Sequence, residues 1–149
     1  MIEHLQLHGT GVAIEGAGIL LRGPAGAGKS SLALSLIDDG AILIADDLCE
    51  IRQVGDRLII DLPAAVDPWF RGAIAPRGSG ILHRSYFGPA PLVLIVDLRR
   101  AGSGGAAPGT MEPGSMELLG LACRRAVLDP FQAGARSALR KMALPVPVD

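Results

Sequence analysis

The run GPAGAGKS, residues 23–30, limits what this chain can fold into more than any other stretch. Gly23, Gly28, Lys29 and Ser30 fit the pattern G-x-x-x-x-G-K-[ST], with Pro24, Ala25, Gly26 and Ala27 filling the variable positions. Glycines let the backbone curl until its N–H groups converge on an anion, and the helix that follows adds its positive end. The pattern assigns Lys29 to outer phosphate oxygens and the Ser30 hydroxyl to Mg²⁺. Its context agrees, because the apolar run Gly18 to Leu21 precedes it and a helical pattern follows. A phosphate loop of this kind demands a strand before it, a helix after it and a sheet to hold both.

The rest of the chain supplies that sheet. Residues 5–23 read as two adjacent strands, Leu5 to Ile14 and Gly18 to Leu21, around the turn-like EGAG. Lys29 to Asp38 carries Leu32, Leu34, Leu36 and Ile37 among good helix formers, and Gly40 ends it. AILIADD (41–47) is a short apolar strand closing on two carboxylates, and EIRQVGDRLIIDLP is a hairpin about Gly55-Asp56. The Gly- and Pro-rich middle predicts short strands between loops, LVLIVDL (92–98) a buried strand, and residues 101–115 a flexible surface loop. Near the end, Asp129 is expected as N-cap and Pro130 in the first turn of a short helix, followed by an extended tail. Strand and helix do not keep alternating after the loop–helix–strand unit, so the expectation is a strand-rich mixed α/β sheet with few helices, not a doubly wound domain.

At 149 residues the chain has the length of one domain, and 49% hydrophobic residues argue against a disordered tail. A formal net charge of -1 offers no field to draw nucleic acid or an anionic membrane. Cys49 and Cys123 do not make a disulfide framework, and no Cys or His cluster has zinc-ligand spacing. MIEHLQLHG lacks the pattern of a signal peptide, and no run of eighteen apolar residues occurs, so a cytoplasmic setting is expected.

Asp46 and Asp47 stand where a Mg²⁺-coordinating acid belongs, at the end of the strand after the loop's helix. One suits a metal or its water and the other a proton from an attacking hydroxyl; a plain strand-to-hairpin turn is the alternative. Asp97, ending another apolar strand, is the rival metal carboxylate. Arg77, among the glycines of PRGSG, suits either an anion contact or a solvated turn. His8 alone reads as a structural histidine, as do His4 and His83. Trp69, Phe70, Tyr86 and Phe87 read as core or edge packing, and Arg99-Arg100 and Arg124-Arg125 as solvated faces.

Together, His8-Gly9, the loop, LALSLI-D-G, the ADD of residues 45–47, RGSGIL (77–82) and LLG…LDPF resemble the catalytic domain of HPr kinase/phosphorylase in a compact form. That resemblance implies a phosphate-loop fold shared with PEP carboxykinases and a single domain over residues 1–149. It implies Mg²⁺ and ATP, or the pyrophosphate that some members use, with the phosphoryl group passing to a serine of the phosphocarrier HPr in the control of carbohydrate uptake. Lys29 then steadies the transferred group, Ser30 and Asp46 hold metal, and Asp47 is the base. His8 touches the phosphate region, and Arg77 belongs to the substrate-side loop. Ala75 stands where the family has a metal-binding glutamate, which implies a weaker metal site. The amino-terminal domain and the basic C-terminal section of long members have no counterpart in the sequence, so kinase chemistry is expected to survive better than the reverse phosphorolysis, while that reverse reaction and a homo-oligomer stay open. The alternative reading is a phosphate-loop kinase or nucleotide sensor acting on another protein or a small molecule.

Overall fold

The structure, a computed structural model, describes residues 4–24, 26–76, 78–99 and 114–144. Its strands are β1 (His4–His8), β2 (Thr10–Ile14), β3 (Ala17–Arg22), β4 (Ile42–Ala45), β5 (Leu48–Val54), β6 (Arg57–Asp61), β7 (Ala73–Ile74), β8 (Leu82–His83), β9 (Ala90–Leu98), β10 (Gly114–Leu118) and β11 (Leu121–Leu128). Among the described residues its helices are α1 (Lys29–Asp38) and α2 (Ala135–Ala143), with a 3-10 turn at Pro68–Phe70. Nine strands join in the order β1-β5-β6-β9-β3-β2-β4, with β11 also on β9 and β10 on β11; β7 and β8 pair separately. This is the strand-rich mixed sheet with few helices that the sequence predicts.

Strand β9 is the hinge of the architecture. Its first residues, Ala90 and Pro91, pair antiparallel with β6, while its later residues pair in parallel with β3 on one side and β11 on the other. The central strands are therefore covered on both faces, which explains their near-continuous apolar runs. On one face Ile19, Leu21, Leu94 and Val96 pack against Leu36 and Leu139 of the two helices. On the other, Leu20 and Ile95 meet Ile51 and Ile60 of the β5–β6 hairpin. Alternation of side chains sends neighbours such as Leu20 and Leu21 into different cores.

Several expectations change in detail. The strand expected over Leu5 to Ile14 is two strands, because Gly9 turns the chain so that β1 pairs with β5 while β2 pairs with β3 and β4. A Cβ at Gly9 would lie 2.5 Å from the Leu21 carbonyl oxygen, so only glycine fits this corner. The hairpin β10–β11 was not expected. Its turn residues Leu119 and Gly120 both have positive φ, as the tightest hairpin turns require, but leucine is a poor signal for that conformation. Asp129 caps a turn and not a helix: it accepts the Phe131 N–H at 2.9 Å, and Gly134, with φ of 82°, delays helix α2 to Ala135. Most of the loop expected at 101–115 lies outside the described residues, and strand β10 already begins at Gly114; the expected tail at 145–149 lies outside them as well. Among the described residues no helix is long and apolar enough to cross a membrane.

Candidate active site

Strands β3, β9 and β11 run parallel, and β4 shares their direction because β2 lies antiparallel between β3 and β4. Their carboxyl ends therefore gather at one edge of the sheet, the place where open α/β sheets bind ligands. That edge carries, in spatial order, the turn after β11, Asp97, the glycine loop, the start of β2, and Asp46-Asp47.

The glycine loop has the backbone its sequence requires. Gly26 and Gly28 have φ of 83° and 95°, values that cost a side-chain-bearing residue strain. No side chain caps α1, so the N–H groups of its first turn stay available to an anion. Lys29 folds back over the loop, its Nζ donating to the carbonyl oxygens of Gly23 at 2.5 Å and Pro24 at 3.4 Å. Ala25 lies outside the described residues.

Asp46 is the centre of a small polar network. Its carboxylate accepts from Ser30 Oγ at 3.0 Å, from Thr10 Oγ1 at 2.7 Å and from the Ala75 N–H at 2.9 Å. All three donors are neutral, so no cation is paired with Asp46 among these contacts, and its orientation is set from three directions. Thr10 is fully buried and no reading of the sequence singled it out. The signal was slight: a polar residue opening an apolar strand, two positions after His8.

Asp47 differs from its neighbour. It is exposed, with φ of 74°, and Leu48 N–H bonds back to the Asp46 carbonyl at 2.9 Å to close a three-residue turn around it. Positive φ in a residue other than glycine is a strained state that persists only where surroundings impose it. The Asp47 carbonyl accepts the Gly9 N–H at 3.0 Å, which ties the His8-Gly9 corner to this turn. His8 itself is exposed and pairs with Leu48 across the β1–β5 ladder.

Lys29, Ser30, Asp46 and Asp47 line one cleft of about 470 Å³. Its opposite wall is apolar and comes from the segment between β6 and β8, including Leu62, Val66, Phe70, Ala75 and Ile81. Arg71, bound to Asp61 at 3.3 Å, anchors this segment. Of the core or edge packing expected for Trp69, Phe70, Tyr86 and Phe87, the core alternative fails: all four are exposed, Trp69 at 54% and Tyr86 at 55%. Trp69 packs edge-on against Phe70 and His83, and Arg71 lies over the Tyr86 ring, so these aromatics form a rim beside the cleft. Arg77 lies outside the described residues.

The structure removes Asp97 as a rival to Asp46. Both its oxygens are held by guanidinium groups, Arg22 at 2.8 and 3.0 Å and Arg125 at 2.6 Å. Burial pushes its pKa up, but the bonds and charges of Arg22 and Arg125 outweigh that and hold it below its ordinary value. A carboxylate with two cations on it has no charge left for a metal. Arg125 is accordingly part of an ion-pair network and not a solvated face. Both cysteines are free and buried, and burial pushes the Cys49 thiol up to about 12, an inert state.

The donor set at Ser30 and Asp46 fits Mg²⁺. Both are hard oxygen ligands within 3.0–3.3 Å of one another, and such sites complete their six ligands with water and substrate phosphates. Among the described residues no group of three or more His, Cys, Asp or Glu side chains converges as a metal site.

The fold and the cleft define a mixed α/β protein in which a glycine loop and a pair of carboxylates share one sheet edge. The family model described as the HPr Serine kinase C-terminal domain matches residues 1–93, and the chain belongs to this family. It is similar to the HPr kinase/phosphorylase of Aromatoleum aromaticum, 35% identical over 146 residues, which cover 92% of this chain and 45% of that protein. It is also similar to that of an Exiguobacterium species, 42% identical over 76 residues, covering 51% of this chain and 24% of that protein. The chain thus spans less than half the length of these curated relatives. The solved HPr(Ser) kinase/phosphatase from Coxiella burnetii matches with a TM-score of 0.78 over 93% of both chains at 22% identity, a likeness of fold.

Proposed function

We propose that residues 1–149 act as one catalytic domain that transfers the γ-phosphoryl group of ATP to a serine of an HPr-like phosphocarrier protein. The cleft that unites Lys29, Ser30, Asp46 and Asp47 carries this reading, and family membership supports it. The phosphate-loop architecture of PEP carboxykinases belongs to the same proposal.

The roles follow from position. Loop N–H groups and Lys29 bind the outer phosphates, for which Lys29 must leave the Gly23 carbonyl. Ser30 and Asp46 hold Mg²⁺, which neutralises phosphate charge when bound. Thr10 and the Ala75 N–H keep Asp46 aimed at the loop. Asp47, exposed in the same cleft, accepts the proton of the serine hydroxyl as its oxygen bonds to the γ-phosphorus and the bond to ADP breaks. His8 lies one corner away and contributes to the phosphate region through the Gly9–Asp47 tie. Arg77, outside the described residues, keeps in this proposal the substrate-side role that the sequence resemblance implies. The exposed aromatic rim favours a protein acceptor, since a small molecule has no use for an apolar surface outside the cleft.

Incubation with ATP, Mg²⁺ and HPr, followed by mass spectrometry, tests the reading. Phosphoserine on HPr is expected, and the Lys29→Ala variant should lose transfer by roughly 10²–10³-fold, the usual cost of one transition-state donor. ATP hydrolysis without HPr modification, or a Lys29→Ala variant as active as the parent, would overturn it.

A further inference from the structure

We propose that Asp61 is a positioning residue for the protein acceptor: through Arg71 it sets where the aromatic rim stands beside the cleft. It thereby governs how tightly the acceptor is held and not how fast phosphate moves. The inference rests on the protein-acceptor reading above and deepens it by naming what holds the acceptor-facing wall in place.

Wall and rim belong to one long excursion of the chain, residues 62–89, between β6 and β9. Among its described residues the regular structure is one 3-10 turn and the two-residue strands β7 and β8. A segment with so short a ladder needs other contacts to hold it against the sheet. Backbone N–H groups supply some of them. Ala64 donates to the Glu50 carboxylate at 3.2 Å, Ala75 to Asp46 at 2.9 Å and Phe87 to the Leu43 carbonyl at 2.8 Å. None of these ties lies within residues 68–71, the stretch that bears Trp69 and Phe70. Asp61 does reach it.

Asp61 is the last residue of β6 and pairs with Glu50 across the hairpin, so its carboxylate is fixed to the sheet. One oxygen accepts the Leu62 N–H at 2.8 Å, where the excursion begins, and the Arg71 guanidinium at 3.3 Å, in its middle. A Cβ built on Gly88 would stand 2.7 Å from the same oxygen, so the end of the excursion passes over it too. The other oxygen lies 3.8 Å from Arg52. Arg71 carries the tie outward. Its guanidinium lies 5.5 Å from the centre of the Tyr86 ring, and the neighbouring Gly72 carbonyl accepts the Arg84 N–H at 2.7 Å. Trp69 closes the set by packing on Phe70 and His83. Rings from both runs of the rim therefore depend on one carboxylate.

Neither Asp61 nor Arg71 lines the carboxylate cleft, whereas Phe70, the residue before Arg71, does. With side chains only 13% and 29% exposed, the pair gives up much of its hydration to form, so its net contribution to stability is small. What it fixes is geometry: a planar guanidinium holds an anion on one side and the face of a ring on the other.

Steady-state transfer to HPr with Mg²⁺ and ATP, resolved into kcat and KM, tests this. Asp61→Asn keeps the shape and the acceptor for the Leu62 N–H but takes the counter-charge from Arg71. KM for HPr should rise on the order of tenfold, between the cost of an exposed and of a buried pair. The value of kcat and the calorimetric affinity for ATP should stay within about twofold of the parent, the pattern of lost binding and not of lost chemistry. Arg71→Gln breaks the pair from its other side, leaves Arg52 untouched, and should give the same rise. The double variant should be no worse than either single one, because both remove one link. An unchanged KM for HPr in Arg71→Gln would overturn the proposal. So would a joint failure of kcat, KM and ATP affinity, which would make the pair a prop for the fold. A parent chain that transfers no phosphate to HPr would instead remove the protein-acceptor reading, and this inference with it.

Discussion

Asp46 directly follows strand β4 and Asp97 is the next-to-last residue of β9, both at the same edge of the sheet, and the two carboxylates have opposite surroundings. Asp46 is held by a threonine hydroxyl, a serine hydroxyl and a backbone N–H, none of them charged. Asp97 is clamped between Arg22 and Arg125. The first arrangement orients a negative charge and leaves it to attract a cation; the second cancels the charge and uses it to tie β3, β9 and β11 together. Strand-end carboxylates are thus not interchangeable. What separates a candidate metal ligand from a structural clamp is whether its donors are neutral.

The comparison breaks if Asp97 matters to chemistry more than the β4 carboxylates do. The largest effect is expected at Asp47, where an amide keeps the geometry but takes no proton. Asn tolerates positive φ well, so Asp47→Asn should fold normally and lose roughly 10²–10⁴-fold in transfer rate with nucleotide affinity nearly kept. Rates at saturating nucleotide beside calorimetric affinities check this.

Asp97→Asn should leave the transfer rate within a small factor of the parent and act on stability. Removing the carboxylate strands two guanidinium groups in a half-buried setting, and partial exposure of all three side chains reduces the loss to about 1–3 kcal/mol. The sign with pH follows from the depressed pKa. Stability from Asp97 is fully present above its ordinary value of 3.8 and is lost as pH falls through the lower folded value. Urea unfolding of parent and variant should therefore differ at neutral pH and converge in acid below about 3.8. A gap that stays constant to low pH would mean the clamp is not electrostatic.

The smallest effect sharpens the other side. Ala75 lines the carboxylate cleft and its N–H already binds Asp46, so Ala75→Glu adds a carboxylate beside the proposed metal ligands Ser30 and Asp46. The magnesium concentration for half-maximal transfer should fall on the order of fivefold, the upper end for an exposed charge interaction of about 1 kcal/mol. Coincident magnesium titrations of the two forms would place residue 75 outside the metal's reach.

Short-range features of this protein were written in its sequence. The glycine loop, helix Lys29–Asp38, and the hairpin about Gly55-Asp56 all formed as their residues predict, because steric limits on φ and bonds between near neighbours decide them. The hairpin around Leu119-Gly120 escaped notice because its turn chemistry is weak, and the Asp129 turn because Gly134 interrupts what looked like a helix start. Neither needed distant information, only subtler local rules.

Tertiary structure alone decided which carboxylate meets the loop. Thr10 and Asp46 are 36 residues apart, and Arg22 and Asp97 are 75 apart; each pair meets because strand register brings its members to one sheet edge. The same holds for Phe131, which reaches Gly28 only because β11 runs parallel to β9. The aromatics around Trp69 look like core in composition, but the two cores were already filled by aliphatic strands, which left the rings at the surface. Local chemistry determined the parts of this site, and the order of strands in the sheet determined which parts stand together, since contacts across such spans depend on packing the whole sheet at once.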